Sequence, residues 1–167
     1  MNIKIQLKPN LQELNDLFTV TFNNLHPKDS IHVPSFLIQR LDEWISIKEL
    51  IKYYHYGKLI EARNDSDKLV GALFVGQRNP ILWPDGHVAE IFILGVLPEV
   101  RGQGIGSKLI SEAEKQVKNI GGEGIIISTH ILMEGVRYFY KKLGYQEIGI
   151  LKNFYINGDS VFFKKNL

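Results

Sequence analysis

The sequence predicts one α+β domain, residues 1–167, built on a central mixed, mostly antiparallel sheet of six or seven strands flanked by helices. Three observations lead there. Segments of period two and period 3.6 follow one another in the order β, helices, βββ, α, β, α, ββ. The short run "GIIIS" is apolar on both faces, as a central strand is. The tail carries two strand patterns across Asn157-Gly158, a strong hairpin signal.

Each element has its own local reason. Ile3 to Leu7 alternate apolar and polar and stop at Pro9, which predicts a first strand. Leu11, Leu14, Leu17, Phe18, Phe22 and Leu25 then recur at helical spacing up to Pro27. "VPSFLIQRLDEWISIKELIKYYHYG" predicts one or two further amphipathic helices, with Gly57 as the stop. "KLIEAR" and "KLVGALFVGQ" are strands joined through the turn residues "NDSD". "RNPILWPDG" is a loop carrying two prolines, and "HVAEIFILGV" is the most apolar strand of the chain. A helix from Gly104 to about Asn119 buries Ile105, Leu109, Ala113 and Val117, with Gly121 and Gly122 after it. Glu134 to Leu143 is a second helix, ended by Gly144. "GILKNFY" and "SVFFKK" close the chain as the terminal hairpin. Repeats, low-complexity stretches and linkers are absent.

Composition removes several function classes. With 44% hydrophobic and 23% charged residues the chain reads as globular. A net charge of +2 with no lysine- or arginine-rich run gives no footprint for nucleic acid. The chain has no cysteine, so disulfides, thiolate metal sites and a cysteine nucleophile are excluded, and a reducing cytosol is compatible. The start "MNIKIQLKPN" places lysines where a signal peptide needs an apolar core. The longest apolar run, Ile91 to Leu97, is too short to span a bilayer. These features predict a cytoplasmic protein without a membrane partner. The five histidines show no metal-binding spacing, so no metal is expected.

"VRGQGIGSKL" carries the chemistry. Three glycines at alternate positions follow a buried strand and open a helix. Glycine allows close backbone approach and positive φ, and free N–H groups at a helix start favour an anion, above all phosphate. The stretch lacks the spacing of a P-loop. It also has Ser107 where a dinucleotide fingerprint needs its third glycine, and "GIIISTH" ends in no acid. Spacing alone leaves two readings open, a phosphate cradle or a glycine-rich helix start without a ligand.

"VLPEVRGQGIGSKLI" resembles the acetyl-CoA-binding segment of the GNAT acetyltransferases, whose pattern is [RQ]xxGx[GA] after a strand and a proline-bearing turn. Arg101, Gly104 and Gly106 occupy that pattern. "VRYFYKKLGYQEIG" resembles the same superfamily's second signature, FYxKLGF, at its usual spacing. The element order matches from Ile3 to the C-terminus. The resemblance implies acetyl-CoA as cosubstrate, with the backbone of Leu94, Gly95 and Val96 holding pantetheine. It implies that N–H groups from Gly102, Gln103, Gly104, Ile105, Gly106 and Ser107 hold pyrophosphate, with Arg101 helping to structure the phosphate site. Lys108 is expected to be a solvated helix residue.

Acetyl transfer to an amine needs a neutral amine, a polarised carbonyl, a held geometry and a proton for the leaving thiolate. Lysine-like amines have pKa about 10.4 and α-amines about 7.8, so a base is required. Glu90 is the single charge in "VAEIFILGV", and an apolar strand tends to raise a carboxylate's pKa, which suits a base. On the residues alone it reads as an exposed strand start rather than a base. "AEIF" resembles the stretch carrying the catalytic glutamate of the histone-type acetyltransferases, which implies Glu90 as base, acting through a water. His130, ending "GIIISTH", is a second candidate base or else a capping residue. Tyr140 shares helical spacing with Val136, Phe139 and Leu143 and so reads as a core aromatic. The resemblance implies instead that it protonates the departing sulfur.

The chain departs from the family at two positions: Ser128 stands where N-terminal peptide acetyltransferases carry an acid or histidine, and Met133 where asparagine is common. The superfamily's acceptor pocket corresponds to Tyr53, Tyr54, His55 and Tyr56 on one side and Phe154, Tyr155 and Asp159 on the other. "LKNFYINGDSVFFKKNL" resembles the tail of N-terminal peptide acetyltransferases. The reading is therefore an N-acetyltransferase moving acetyl from acetyl-CoA directly to a primary amine, with a peptide or protein N-terminus as acceptor. The alternatives are a small-amine enzyme for polyamines or antibiotics, and a non-catalytic acyl-CoA sensor of the same fold. A monomer and a homodimer remain equally open.

Overall fold

In the computed structural model, residues 1–23, 45–77, 87–155 and 158–167 are described. The strands are β1 (Asn2–Gln6), β2 (Gly57–Arg63), β3 (Leu69–Gly76), β4 (Val88–Val96), β5 (Gly124–His130), β6 (Gln146–Tyr155) and β7 (Gly158–Asn166). The described helices are α1 (Leu11–Asn23), α2 (Ile47–Tyr56), α3 (Ile105–Asn119) and α4 (Glu134–Lys142), with one 3-10 turn at Pro98–Val100. The order expected from the sequence holds throughout these residues. The stop at Pro27, most of the segment before Ile45, the proline-bearing loop after Gln77 and Asn157 lie outside them.

The seven strands form one sheet in the order β1-β2-β3-β4-β5-β7-β6. Every neighbouring pair is antiparallel except β4 and β5, which run parallel. A parallel pair needs a crossover, and α3 supplies it.

Neighbouring register positions show which helix covers which face. Gly95 pairs with Ala72, and a Cβ on Gly95 would meet Phe18 of α1 at 2.7 Å. Gly71 pairs with Val96, and a Cβ there would meet Leu109 and Ile105 of α3 at 3.1 and 3.2 Å. Successive residues of a strand point to opposite faces, so α1 and α3 lie on opposite sides of the sheet. Tyr53 of α2 packs on Phe74 with ring centroids 5.9 Å apart, which places α2 beside α1. On the other face α4 meets the start of α3, where Phe139 Cζ would lie 3.2 Å from a Cβ on Gly106.

Local chemistry ends these elements as propensity demands. Asn10 Oδ1 accepts from Glu13 N–H at 3.2 Å, and Ser46 Oγ accepts from Glu49 N–H at 3.3 Å, capping α1 and α2. The "NDSD" turn closes through Asn64 Oδ1, which accepts from Ser66 and Lys68 N–H at 3.0 and 2.9 Å. Gly57 ends α2 as expected. Its φ of −157° is extended, and it begins β2 directly, where a Cβ would sit 2.5 Å from the Val75 carbonyl oxygen. Glycine is used there for strand contact.

A charged cluster invisible to periodicity pins α1 to the sheet. Arg63 donates to Glu13 at 2.7 and 3.1 Å, to the fully buried Glu61 at 2.9 Å and to the Asp67 carbonyl at 2.7 Å. The fork geometry of the guanidinium suits two carboxylates at once, and it holds the Glu13 carboxyl below its ordinary pKa.

Candidate functional site

A gap opens in the middle of the sheet. β4 and β5 pair only from Val88↔Gly124 to Ile91↔Ile127. Beyond that point each strand keeps its outer partner alone. Ile93 to Val96 stay on Phe74 to Gly71 of β3, and Ser128 to His130 stay on Phe162 to Ser160 of β7. An irregularity in register sits at the divergence: Phe74 pairs with Ile93 but Val75 with Ile91, so Phe92 is an extra residue in β4. A bulge of this kind bends its strand, and here it turns β4 away from β5.

The inner edge of β4 is left without a strand partner. Leu97 N–H donates to the Val70 carbonyl at 3.0 Å, on the β3 side. Alternation then directs the N–H and C=O of Val96 and Leu94 into the gap. Gly95 lies between them with its backbone on β3. Its lack of a side chain is required by Phe18 and not by the gap.

The glycine run forms the mouth of this gap. Gly102 and Gly104 have φ of +77° and +78°, which side-chain-bearing residues adopt only under strain, and a Cβ at either would meet nothing within 4 Å. Gly104 caps α3 with no side-chain hydrogen bond, and no acid lies in the first turn. The opening N–H groups of α3 therefore have neither intrahelical acceptors nor a carboxylate to answer them, at the positive end of the helix dipole. Gln103 is exposed, Ser107 half-buried and Ile105 buried in the core, while Lys108 is exposed as expected. Such a surface accepts an anion.

Arg101 points inward. Its Nε donates to the Val96 carbonyl at 3.2 Å and its Nη2 to the Thr21 carbonyl of α1 at 2.8 Å.

Glu90 and Tyr140 sit on opposite faces at the level where the gap begins. Glu90 pairs with Gly76 on one side and Ile126 on the other, one residue before the last β4–β5 pair. Its parity puts it on the α1/α2 face together with Ser128, which pairs with Phe162. Tyr140 lies on the α3 face. It is 5% exposed, and its ring packs on Phe163 at 5.7 Å and Tyr145 at 6.2 Å. The core packing that helical spacing predicted for Tyr140 is real, and the Phe163 on which its ring lies is the register partner of Ile127, where β5 parts from β4.

His130 is 4% exposed, and its Nδ1 accepts from Leu132 N–H at 3.1 Å. That bond occupies the lone pair a base would use and assigns the proton to Nε2, which faces Gly158 of the terminal hairpin. Burial holds the imidazole pKa below its ordinary value, against the opposing pull of Asp159. This is the geometry of a turn cap.

The expected acceptor residues separate. Tyr53 packs against Phe92 at the bulge, with ring centroids 5.6 Å apart. Tyr54 and His55 instead line an open groove of about 510 Å³ with Ile5, Leu7 and Ile51, at the β1 edge of the sheet. Tyr56 is exposed and meets the His55 ring edge-on. On the far limb Phe154 packs edge-on against Phe162 at 5.7 Å, and Asp159 accepts from Asn153 N–H at 2.9 Å. Met133 caps α4, and its sulfur accepts from the Thr129 hydroxyl at 3.4 Å. The bulge at Phe92 and the bridging role of Arg101 escaped sequence reading, since neither has a local pattern.

Among the described residues no helix is long and apolar enough to cross a membrane, and no three histidine, aspartate or glutamate side chains converge as a metal site.

Comparison with known proteins places these features in a common frame. The family model described as "Acetyltransferase (GNAT) family" matches residues 11–145. N-alpha-acetyltransferase 30 of Schizosaccharomyces pombe is 33% identical over 101 residues, covering 59% of this chain and 64% of that protein. An aminoalkylphosphonate N-acetyltransferase of Salmonella typhimurium is 40% identical over 60 residues, covering 36% of this chain and 39% of that one. This chain thus matches less than two thirds of either relative's length. The solved structure of the PaiA N-acetyltransferase of Thermoplasma acidophilum in complex with coenzyme A superposes over all of both chains, with a TM-score of 0.76 at 19% identity.

Proposed function

The chain belongs to the GNAT acetyltransferase family, and from that premise we propose that it transfers the acetyl group of acetyl-CoA directly to a primary amine. The observation that carries the proposal is the loss of β4–β5 pairing after Ile91↔Ile127 beside the uncapped, glycine-rich start of α3; to this we assign Glu90, on the α1/α2 face, as base and Tyr140, on the α3 face, as acid.

The donor enters from the α3 side. Backbone N–H groups from Gly102 to Ser107 hold the pyrophosphate, and the inward backbone of Leu94 and Val96 lines the pantetheine. Gly95 serves by letting α1 seat against the strand. The acceptor enters from the α1/α2 side, past Phe92 and Tyr53 on one limb and Ser128, Phe162 and Phe154 on the other.

Glu90, directly or through a water, takes a proton from the ammonium so that its nitrogen can attack the thioester carbon. As the carbon–sulfur bond breaks, Tyr140 gives its phenolic proton to the sulfur. The nitrogen loses two protons on its way from ammonium to amide: the first goes through Glu90 to solvent, and the second, lost as the tetrahedral adduct collapses, offsets the one Tyr140 gives to the sulfur, so the products are the amide, the thiol and one released proton. The chain has no cysteine, so transfer occurs within one ternary complex without an acyl-cysteine. His130 is given no part as base, because its Nδ1 accepts from Leu132 N–H.

The acceptor is a peptide or protein N-terminus. The N-alpha-acetyltransferase relative and the aromatic terminal hairpin support this choice. A small-amine acceptor is the second reading, favoured by the aminoalkylphosphonate relative. Thiol release from acetyl-CoA with a panel of peptides, polyamines and phosphonates separates the two, and no release with any amine would indicate a binding domain. Acetyl-CoA is expected to raise the melting temperature, as a ligand of the native state must. Gly104→Val, which forces a β-branched residue into φ +78°, is expected to abolish that shift. A wild-type protein that ignores CoA in calorimetry would overturn the proposal.

A further inference from the structure

The two donor-binding edges, the inner edge of β4 and the glycine loop, must be held at a fixed separation although the sheet no longer joins β4 to β5 between them. β4 has a single strand neighbour from Ile93 onward, and its last inward carbonyl is that of Val96. Arg101, the residue that opens the glycine loop, donates to that carbonyl from Nε at 3.2 Å and to the Thr21 carbonyl from Nη2 at 2.8 Å. Thr21 lies in the last turn of α1, which carries no basic residue of its own. Arg101 therefore supplies from outside the cation that the negative end of the helix dipole favours. α1 is itself seated on β4, with Phe18 against Gly95.

We infer that Arg101 is a positioning residue: a strut joining α1, the end of β4 and the glycine loop, through which the pantetheine edge is held in place, and not a ligand of the pyrophosphate. The inference rests on the acetyl-CoA reading above and assigns this side chain a different task from the backbone N–H groups beside it. The fork geometry of a guanidinium reaches two carbonyls at once, whereas a lysine ammonium at the end of a flexible stem is a single point charge. A positive charge alone does not suffice there; the guanidinium fork is needed.

The discriminating ligand is one that lacks the phosphates. Steady-state kinetics with acetyl-CoA and with S-acetyl-pantetheine are compared for wild type, Arg101→Lys, Arg101→Gln and Gly104→Ala. Gly104→Ala calibrates a lesion of the phosphate loop: its loss is large with acetyl-CoA and small with S-acetyl-pantetheine. The strut predicts that both Arg101 variants raise the thioester KM about tenfold or more with either donor, consistent with loss of charge-assisted hydrogen bonds. The KM for the amine and the kcat at saturating thioester stay near wild type. Arg101→Lys fails nearly as badly as Arg101→Gln. The inference is overturned if the losses are confined to acetyl-CoA in the manner of Gly104→Ala, if lysine restores the wild-type KM, or if neither variant alters KM with S-acetyl-pantetheine. Wild-type protein that turns over neither thioester would refute the acetyl-CoA reading itself, a separate outcome.

Discussion

Replacing Gly95 by alanine tests whether α1 is seated on β4 through this residue. The new methyl carbon would lie 2.7 and 2.8 Å from Cδ1 and Cε1 of Phe18 and 3.4 Å from Cγ2 of Thr21. Favourable carbon–carbon separations are about 3.5–4.0 Å, so the helix must withdraw from the strand by on the order of 1 Å. Phe18 is fully buried and cannot swing into solvent. Overpacking of this kind costs about 1–3 kcal/mol. Against it stands the gain of roughly 0.5–1 kcal/mol from replacing a strand glycine, whose unfolded chain is freer. Taking the middle of both ranges, the net loss is about 1 kcal/mol, which lowers the melting temperature by about 2–4 °C for a chain of this size. Thermal unfolding followed by circular dichroism measures it. The second arm is Phe18→Leu, which is destabilising alone because it leaves a cavity. In the Gly95→Ala background it removes the clash, so the double variant is expected to be more stable than the sum of the singles by about 1 kcal/mol. A Gly95→Ala protein that melts at or above wild type, with additive behaviour in the double variant, would refute the packing argument.

Tyr140→Phe keeps every ring contact and removes the hydroxyl. Turnover is expected to fall about 100-fold or more with acetyl-CoA affinity and melting temperature nearly unchanged. Near-normal turnover in a well-folded variant would leave Tyr140 as a core aromatic. Glu90→Gln is expected to reduce turnover most at low pH, where the amine is largely protonated, with the loss shrinking toward the amine's own pKa; a pH-independent loss would remove Glu90 as base. His130 has its pKa lowered in the folded protein, first by burial, so below about pH 6.5 the unfolded chain binds more protons at this site than the folded one. Its contribution to stability is complete above that pH and declines as pH falls toward the folded value. The melting temperature of His130→Gln should therefore vary less between pH 7.5 and 5.5 than that of wild type, and identical slopes would show that His130 is not the titrating group.

How much of the site was legible differs residue by residue. The glycine loop was readable because its physics is local: positive φ at Gly102 and Gly104 and an uncapped helix start are conditions on five or six consecutive residues. Gly95 was read by position in the strand as part of a pantetheine edge, but the reason it is glycine comes from Phe18, 77 positions earlier in the chain. Arg101 was legible as an arginine beside the loop, while its partner at Thr21 is 80 residues away. His130 kept two readings open until the Nδ1 contact with Leu132 settled its tautomer. The tyrosines of "KYYHYG" fall together in the acceptor region that the resemblance implies. The helical turn instead sends Tyr53 to the sheet and Tyr54 to the β1 edge.

By itself the sequence determined the order and type of the elements, the glycine run at the start of α3 and the absence of cysteine. All of these follow from periodicity, turn residues and composition over short windows. Tertiary structure alone decided that β4 and β5 lose their pairing after Ile91↔Ile127, and that Glu90 and Tyr140 lie on opposite faces of the sheet. Those two residues lie 50 positions apart on elements that no local rule relates. Their relation depends on strand register, and a shift of one residue would turn Glu90 to the other face. That register is set by packing summed over the whole sheet, including Phe18 on Gly95 and Arg63 on Glu13 and Glu61, and so it exists only once the chain has folded.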